Sequence, residues 1–139
     1  MAPAVVAALH GLLSGEEFPG VARIMAKLGR LCRAQSLPCP SRATVYKLIG
    51  RDPGPTYALA ELPPAARSAL YNLSLEPSLA VPGAQLAFYC FNYGELAAAH
   101  FAAGLPWLPL YQAYRMRGWG PQSRGMLRAV LAARGVRHG

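Results

Sequence analysis

Apolar residues recur with a helical period along most of the chain, and glycine and proline separate the periodic stretches. In the first half this spacing predicts helices over residues 4–13, 21–34, 42–49 and 63–72. In the second half it predicts helices over residues 84–92, 95–103, 106–117 and 121–134. A short extended segment is expected over residues 56–59, and loops are expected around Pro38 and Pro40 and through Glu76 and Pro77. The pattern therefore predicts a mainly α-helical protein.

The segment 21–34 is strongly amphipathic. Its apolar residues share one face at a spacing of three and four positions: Val21, Ile24, Met25, Leu28, Leu31 and Cys32. Its cations share the opposite face: Arg23, Lys27, Arg30 and Arg33. A solvated helix face usually mixes glutamate with lysine and arginine, because oppositely charged pairs one turn apart are favourable. No acid is present here, so the repulsion between the cations stays uncompensated unless an anionic partner binds.

The segment 41–51 predicts a helix with one anchored face and one polar face. Ser41 is a suitable N-cap, and Val45, Leu48 and Ile49 are expected to pack against the preceding helix. Small, polar and cationic side chains on the other side of such a helix can reach base edges and phosphates, and its first-turn N–H groups can bind a phosphate. The predicted contacts from this segment are Ser41, Arg42, Ala43, Thr44, Tyr46, Lys47 and Arg51.

The string PSRATVYKLIGR, from Pro40 to Arg51, resembles the recognition helix of bacterial helix-turn-helix regulators and resolvases. The string AKLG, from Ala26 to Gly29, resembles the end of the first helix of that motif. The tight turn of the motif is replaced here by a longer segment through Arg33 and Pro40. A winged or a three-helix variant of the helix-turn-helix is therefore an alternative. The following GPTYALAELP would supply a wing strand. The resemblance, within residues 21–60, implies a DNA-binding regulator of transcription in bacteria or phage.

We therefore expect a helix-turn-helix head, winged or not, in residues 1–73. Residues 82–139 are expected to form an all-helical half that serves dimerisation or partner binding. Aromatic residues are concentrated in this half: Phe88, Tyr89, Phe91, Tyr93, Phe101, Trp107, Tyr111, Tyr114 and Trp119. Such residues belong in a core or at a dimer interface, and paired half-sites suit a helix-turn-helix, so a homodimer is predicted.

The net charge is +8, and two acid-free blocks hold most of the cations. The N-terminal basic block comprises Arg23, Lys27, Arg30, Arg33, Arg42, Lys47 and Arg51. The C-terminal basic block comprises Arg115, Arg117, Arg124, Arg128, Arg134 and Arg137. Basic clusters favour a polyanionic partner, because neutralised phosphates release counterions. Double-stranded DNA is the predicted partner. RNA and an acidic protein remain alternative partners. With an acidic protein as its partner, the chain would be an antitoxin or an adaptor.

Catalysis, metal binding and membrane insertion find little support in the sequence. Six aspartates and glutamates leave few groups for metal-dependent phosphoryl transfer, and neither a phosphate-binding loop nor a nucleophile elbow is present. Gly104, Pro106 and Pro109 interrupt the longest uncharged stretch. The three cysteines are expected to be reduced thiols: Cys32, Cys39 and Cys90. We expect a cytoplasmic protein that is not an enzyme and has no catalytic residue, cofactor or metal.

Overall fold

The computed structural model describes residues 1–70 and 79–136. Within these residues the first half contains helices α1 (Pro3–Leu13), α2 (Val21–Ala34), α3 (Arg42–Arg51) and α4 (Pro64–Ala69). The second half contains helices α5 (Gly83–Asn92), α6 (Leu96–Ala103), α7 (Trp107–Tyr114) and α8 (Pro121–Ala133). Strands β1 (Thr56–Ala58) and β2 (Ala80–Pro82) and a 3-10 turn over Leu59–Glu61 complete the described elements. The prediction of a mainly helical fold is confirmed.

Local signals place most of these helix boundaries. The Ser41 Oγ accepts a hydrogen bond from the Thr44 N–H at 3.2 Å and caps α3, as predicted. Helices α1, α4 and α8 begin with a proline, whose missing N–H costs nothing in the first turn. Helix α4 ends at Ala69, with Leu70 as its C-cap, so the predicted end near residue 72 is wrong. The predicted loop through Glu76 and Pro77 lies outside the described residues.

Helix α7 ends at Tyr114, earlier than the predicted residue 117. Trp119 Nε1 donates to the Ala113 carbonyl at 2.9 Å, and Gly118 has a φ of +100°. The Asn92 side chain, at the end of α5, donates to the Gly118 carbonyl at 3.0 Å and accepts from the Gly120 N–H at 2.9 Å. These contacts turn the chain after Tyr114, although the helical spacing of the sequence continues to residue 117.

Strand β1 confirms the short extended segment predicted after α3. It pairs antiparallel with β2, with Tyr57 opposite Val81. The partner strand was not predicted, because it lies beyond α4 and residues 71–78. A wing would pair neighbouring strands in a hairpin, whereas this ladder joins the first half of the chain to the start of α5.

A single cluster of buried apolar residues runs through both halves. It includes Val5 and Leu9 of α1, Ile24 of α2, Ile49 of α3 and Leu127 of α8. Helix α1 packs on α2, α5 packs on α6 and α7, and α3 packs on α7. The two predicted regions therefore share one core, and the boundary between them stays a prediction.

The aromatic residues of the second half are largely covered within one chain. Phe88, Phe91, Trp107 and Tyr111 are buried, and the ring centroids of Phe18 and Trp107 lie 4.9 Å apart. We expected such residues to need either a core or a second copy, and the structure places these in the core. Tyr93 is 54% exposed, and four other aromatic residues of this half are half-buried: Tyr89, Phe101, Tyr114 and Trp119. The homodimer therefore stays a prediction. No helix in the described ranges is long and apolar enough to cross a bilayer.

Candidate nucleic-acid interface

Helix α2 separates its apolar and cationic faces as the sequence predicts. Ile24, Leu28 and Cys32 are buried, while Val21, Met25 and Leu31 are half-buried. On the opposite face Arg23, Arg30 and Arg33 are exposed and Lys27 is half-buried. The period of 3.6 residues holds over the whole helix, so its cations form one continuous solvent-facing stripe.

Helix α3 has the same division between a buried and an open side. Val45 and Ile49 are buried, and Leu48 is half-buried. The predicted contact residues lie on the accessible side, with Thr44 and Tyr46 half-buried and the others exposed: Ser41, Arg42, Ala43, Lys47 and Arg51. The Ser41 hydroxyl lies 3.0 Å from the Thr44 hydroxyl, so both groups contribute to the cap at the start of α3.

The N-terminal basic block has no counter-charge in the described chain. Across residues 1–70 and 79–136, the one pair of opposite charges within 4.0 Å joins His10 to Asp52. No described lysine or arginine therefore has a described carboxylate within 4.0 Å, and the cations of α2 and α3 form a surface of one sign of charge. A concentrated field of one sign attracts polyanions and raises their rate of association.

The C-terminal end of α3 is held by two other helices. We expected α3 to pack against α2, but its hydrogen-bonded anchor is Gln112 of α7. The Gln112 Nε2 donates to the Ile49 carbonyl at 2.9 Å and to the Asp52 carbonyl at 2.8 Å. The carboxylate of Asp52, whose side chain is 7% exposed, lies 2.8 Å from His10 Nδ1 of α1 and accepts from the Gly54 N–H at 2.8 Å. These contacts fix where α3 ends and how it points.

Sequence reasoning missed this anchor, although one signal for it exists. Gln112 is a single polar side chain within the apolar segment Trp107–Tyr114. An amide in such a position needs hydrogen-bond partners when it is partly buried. The identity of the partners is not readable from the sequence, since they lie about sixty positions away in the chain.

Arginines of the C-terminal basic block have partners within the chain. The Arg124 guanidinium lies 4.3 Å from the ring centroid of Tyr114, a cation–π contact. Arg134 donates to the backbone carbonyls of Ala103, Leu105 and Glu16, joining α8 to the end of α6 and to the loop after α1. Arg117 and Arg128 are exposed, and Arg137 lies outside the described residues.

Arg115, in the C-terminal basic block, also has a partner within the chain. Its Nη1 donates to the Tyr111 hydroxyl at 3.2 Å. Burial raises the pKa of Tyr111, Arg115 acts in the opposite direction, and the hydroxyl of Tyr46 adds a smaller increase. Arg115, at the C-terminal end of α7, thus contacts the Tyr111 side chain of the same helix.

In the described part of the chain, no group of three or more His, Cys, Asp or Glu side chains is arranged to hold a metal ion. No protein-family model, curated protein or solved structure matches the chain. The resemblance to helix-turn-helix regulators accordingly stays a prediction from residues 21–60, and the geometry of α2 and α3 is the basis for a functional proposal.

Proposed function

We propose that the chain is a sequence-specific DNA-binding protein that regulates transcription in bacteria or phage. The observation that carries this proposal is the N-terminal basic block, whose side chains face solvent along two consecutive helices without a carboxylate partner in the described chain. Mutual repulsion at this surface is relieved when phosphates bind and release their counterions. In the proposal α2 and α3 act together as a helix-turn-helix with a long connection.

Helix α3 is the proposed recognition helix. Arg42 and Lys47 are exposed, Thr44 is half-buried, and Val45 and Ile49 anchor the buried side. Gln112 of α7 holds the C-terminal end, which supports insertion of α3 into a major groove as a rigid element. Arginine and lysine read guanine edges there, and threonine contacts several base edges.

Helix α2 is proposed to position the protein on the phosphate backbone. Arg23, Lys27 and Arg30 project from one face at intervals of three and four residues, so they follow the helix axis as a stripe. Such contacts set the register on the duplex but carry no sequence information. The proposal thus assigns affinity mainly to α2 and selectivity to α3.

We propose further that two copies pair on DNA rather than before binding it. Phe88, Phe91, Trp107 and Tyr111 are buried within one chain and are not available for an interface. Adjacent half-sites would then bring the copies together, with their α3 helices about 34 Å apart. Analytical ultracentrifugation should show a monomer without DNA and two copies on a duplex that contains two half-sites. A stable dimer without DNA would contradict this order of events.

Selection from a pool of random duplexes, followed by a gel shift at two salt concentrations, tests the proposal. We expect salt-sensitive binding that enriches one duplex sequence. Binding confined to single strands would favour an RNA-binding protein. Absence of binding to any nucleic acid would favour a module that binds an acidic protein through the same basic surface. Each of these last two results overturns the proposed function.

A further inference from the structure

Cys32 and Cys39 lie at the two ends of the turn that follows α2. Cys32 is in the last turn of α2 and is 2% exposed, whereas Cys39 is exposed to solvent. The Cys32 Sγ lies 3.8 Å from the carbonyl oxygen of Pro38, the residue directly before Cys39. This juxtaposition places one accessible and one buried sulfur together.

The backbone of the turn holds this arrangement in place. The Leu37 N–H donates to the Cys32 carbonyl at 2.8 Å, which folds the chain back over the end of α2. Ser36 has a φ of +53°, a left-handed conformation that a non-glycine residue adopts only at some cost. Pro38 and Pro40 restrict the backbone on both sides of Cys39. A defined turn thus returns the backbone next to Cys39 to the end of the helix that holds Cys32.

We propose that Cys39 and Cys32 form a reversible intramolecular disulfide when the protein meets a peroxide. Cys39 is the attacking residue, because it is the exposed thiol of the pair, and Cys32 is the resolving residue. This modification site goes beyond the proposed binding of DNA and does not depend on it. The disulfide closes a ring over residues 32–39. This ring includes all of the segment that connects α2 to α3 except its last two residues, Pro40 and Ser41.

The chemistry balances in two steps. The Cys39 thiolate attacks one oxygen of hydrogen peroxide, the O–O bond breaks, and the products are a sulfenic acid and, after proton uptake, water. The Cys32 sulfur then attacks the sulfenic sulfur, the S–O bond breaks, and the hydroxyl group leaves as water with the Cys32 proton. One peroxide is reduced to two waters while two thiols are oxidised to one disulfide. A dithiol reductant reverses the reaction.

The environments of the sulfurs support these roles. Burial, together with the neighbouring Cys39 thiol, raises the pKa of Cys32, and Arg33 opposes this only in part. Cys32 is therefore mostly protonated at neutral pH and reacts slowly with peroxide directly. Cys90 is an internal control, since it is fully buried in α5 and burial raises its pKa to about 11. We expect it to stay reduced.

The disulfide also has a consequence for α3. Cys39 precedes Ser41, the N-cap of α3, by two residues. Bonding Cys39 to the end of α2 therefore ties the start of α3 to α2 covalently. A closed loop also restricts the unfolded chain, so the oxidised protein should melt at a temperature about 4 °C or more above that of the reduced protein.

The experiment exposes the full-length reduced protein to one equivalent of hydrogen peroxide, followed by alkylation in denaturant and intact-mass analysis. Wild type should lose two of its three alkylatable thiols without dimerising and should recover them with dithiothreitol. Cys90→Ala should behave as wild type. Cys39→Ser, at an exposed position that leaves the core unchanged, should keep both remaining thiols. Cys32→Ala should trap Cys39 as a sulfenic acid that dimedone captures.

Three results would overturn the proposal. Wild type would retain all alkylatable thiols, or Cys39→Ser would still form an internal disulfide, or the bond would join two chains. The comparison of wild type with Cys39→Ser decides the matter even if the Cys32→Ala protein does not fold, because only the exposed residue changes in that pair.

Discussion

In the N-terminal basic block of α2 and α3, all side chains except the half-buried Lys27 are exposed, and none has a described carboxylate within 4.0 Å. In the C-terminal basic block, Arg115 bonds to a tyrosine hydroxyl, Arg124 stacks on a tyrosine ring and Arg134 binds backbone carbonyls. The two blocks have similar charge and a similar lack of acids in the sequence. Their contacts differ, because three arginines of the C-terminal basic block contact other groups of the fold.

The number of cations alone therefore does not identify a surface that binds nucleic acid. A guanidinium that already donates to carbonyls must exchange those bonds for phosphate, and leaving a buried acceptor unpaired costs about 1–3 kcal/mol. A guanidinium in solvent has no such bond to lose. The N-terminal basic block is therefore the more favourable binding surface.

The largest expected effect concerns α3. Replacing Arg42, Thr44 and Lys47 together with alanine should abolish selective DNA binding, because base contacts are worth about 1–3 kcal/mol each. The variant should still fold, since the side chains of Arg42 and Lys47 are exposed and the cap bond from the Thr44 N–H to the Ser41 Oγ does not need the Thr44 side chain. Selection from random duplexes measures the loss, and circular dichroism checks the fold. A variant that still enriched the wild-type sequence would show that α3 does not read bases.

A smaller effect is expected for the stability of the fold. Arg134→Met removes the donor to Ala103, Leu105 and Glu16, so we expect a loss of about 1–3 kcal/mol in the free energy of unfolding. Arg30→Met is the matched control in α2, and its effect should stay within about 0.5 kcal/mol. Urea denaturation measures both. Equal losses would mean that the two blocks do not differ in structural role.

The smallest expected effect comes from single cations of α2. Arg23→Gln should weaken binding to all duplexes alike and flatten the salt dependence by about one unit. The preferred sequence should not change, because a phosphate contact carries no sequence information. Fluorescence anisotropy at several salt concentrations gives the slope. A change in sequence preference would mean that α2 reads bases and that the proposed orientation is wrong.

Features set by neighbouring residues were predictable from the sequence. The buried face of α2 follows from the spacing of Ile24, Leu28 and Cys32, because a helix repeats every 3.6 residues. The cap at Ser41 follows from its side-chain chemistry and from Pro40 before it. The open side of α3 was predicted from the same periodicity, so the accessibility of the candidate contact residues required no tertiary information.

Features set by distant residues were not predictable. Gln112 reaches the end of α3 across about sixty positions of sequence, and β1 pairs with β2 across α4 and residues 71–78. The enclosure of Trp107 depends on Phe18, which belongs to a loop in the first half. A periodic pattern shows which face of a helix is buried but not which element covers it. For that reason the sequence left open whether the aromatic residues need a second copy.

The salt dependence of duplex binding by two matched variants tests the central claim most directly. One variant replaces Arg23, Arg30 and Arg33 with glutamine, and the other replaces Arg117, Arg124 and Arg128, so the change in net charge is the same. Each lost phosphate contact lowers the slope of log K against log salt by about 0.9. We predict a slope lower by about 2.7 units for the first variant and by less than about one unit for the second. Equal slopes, or a larger loss in the second variant, would contradict the assignment of DNA binding to α2 and α3.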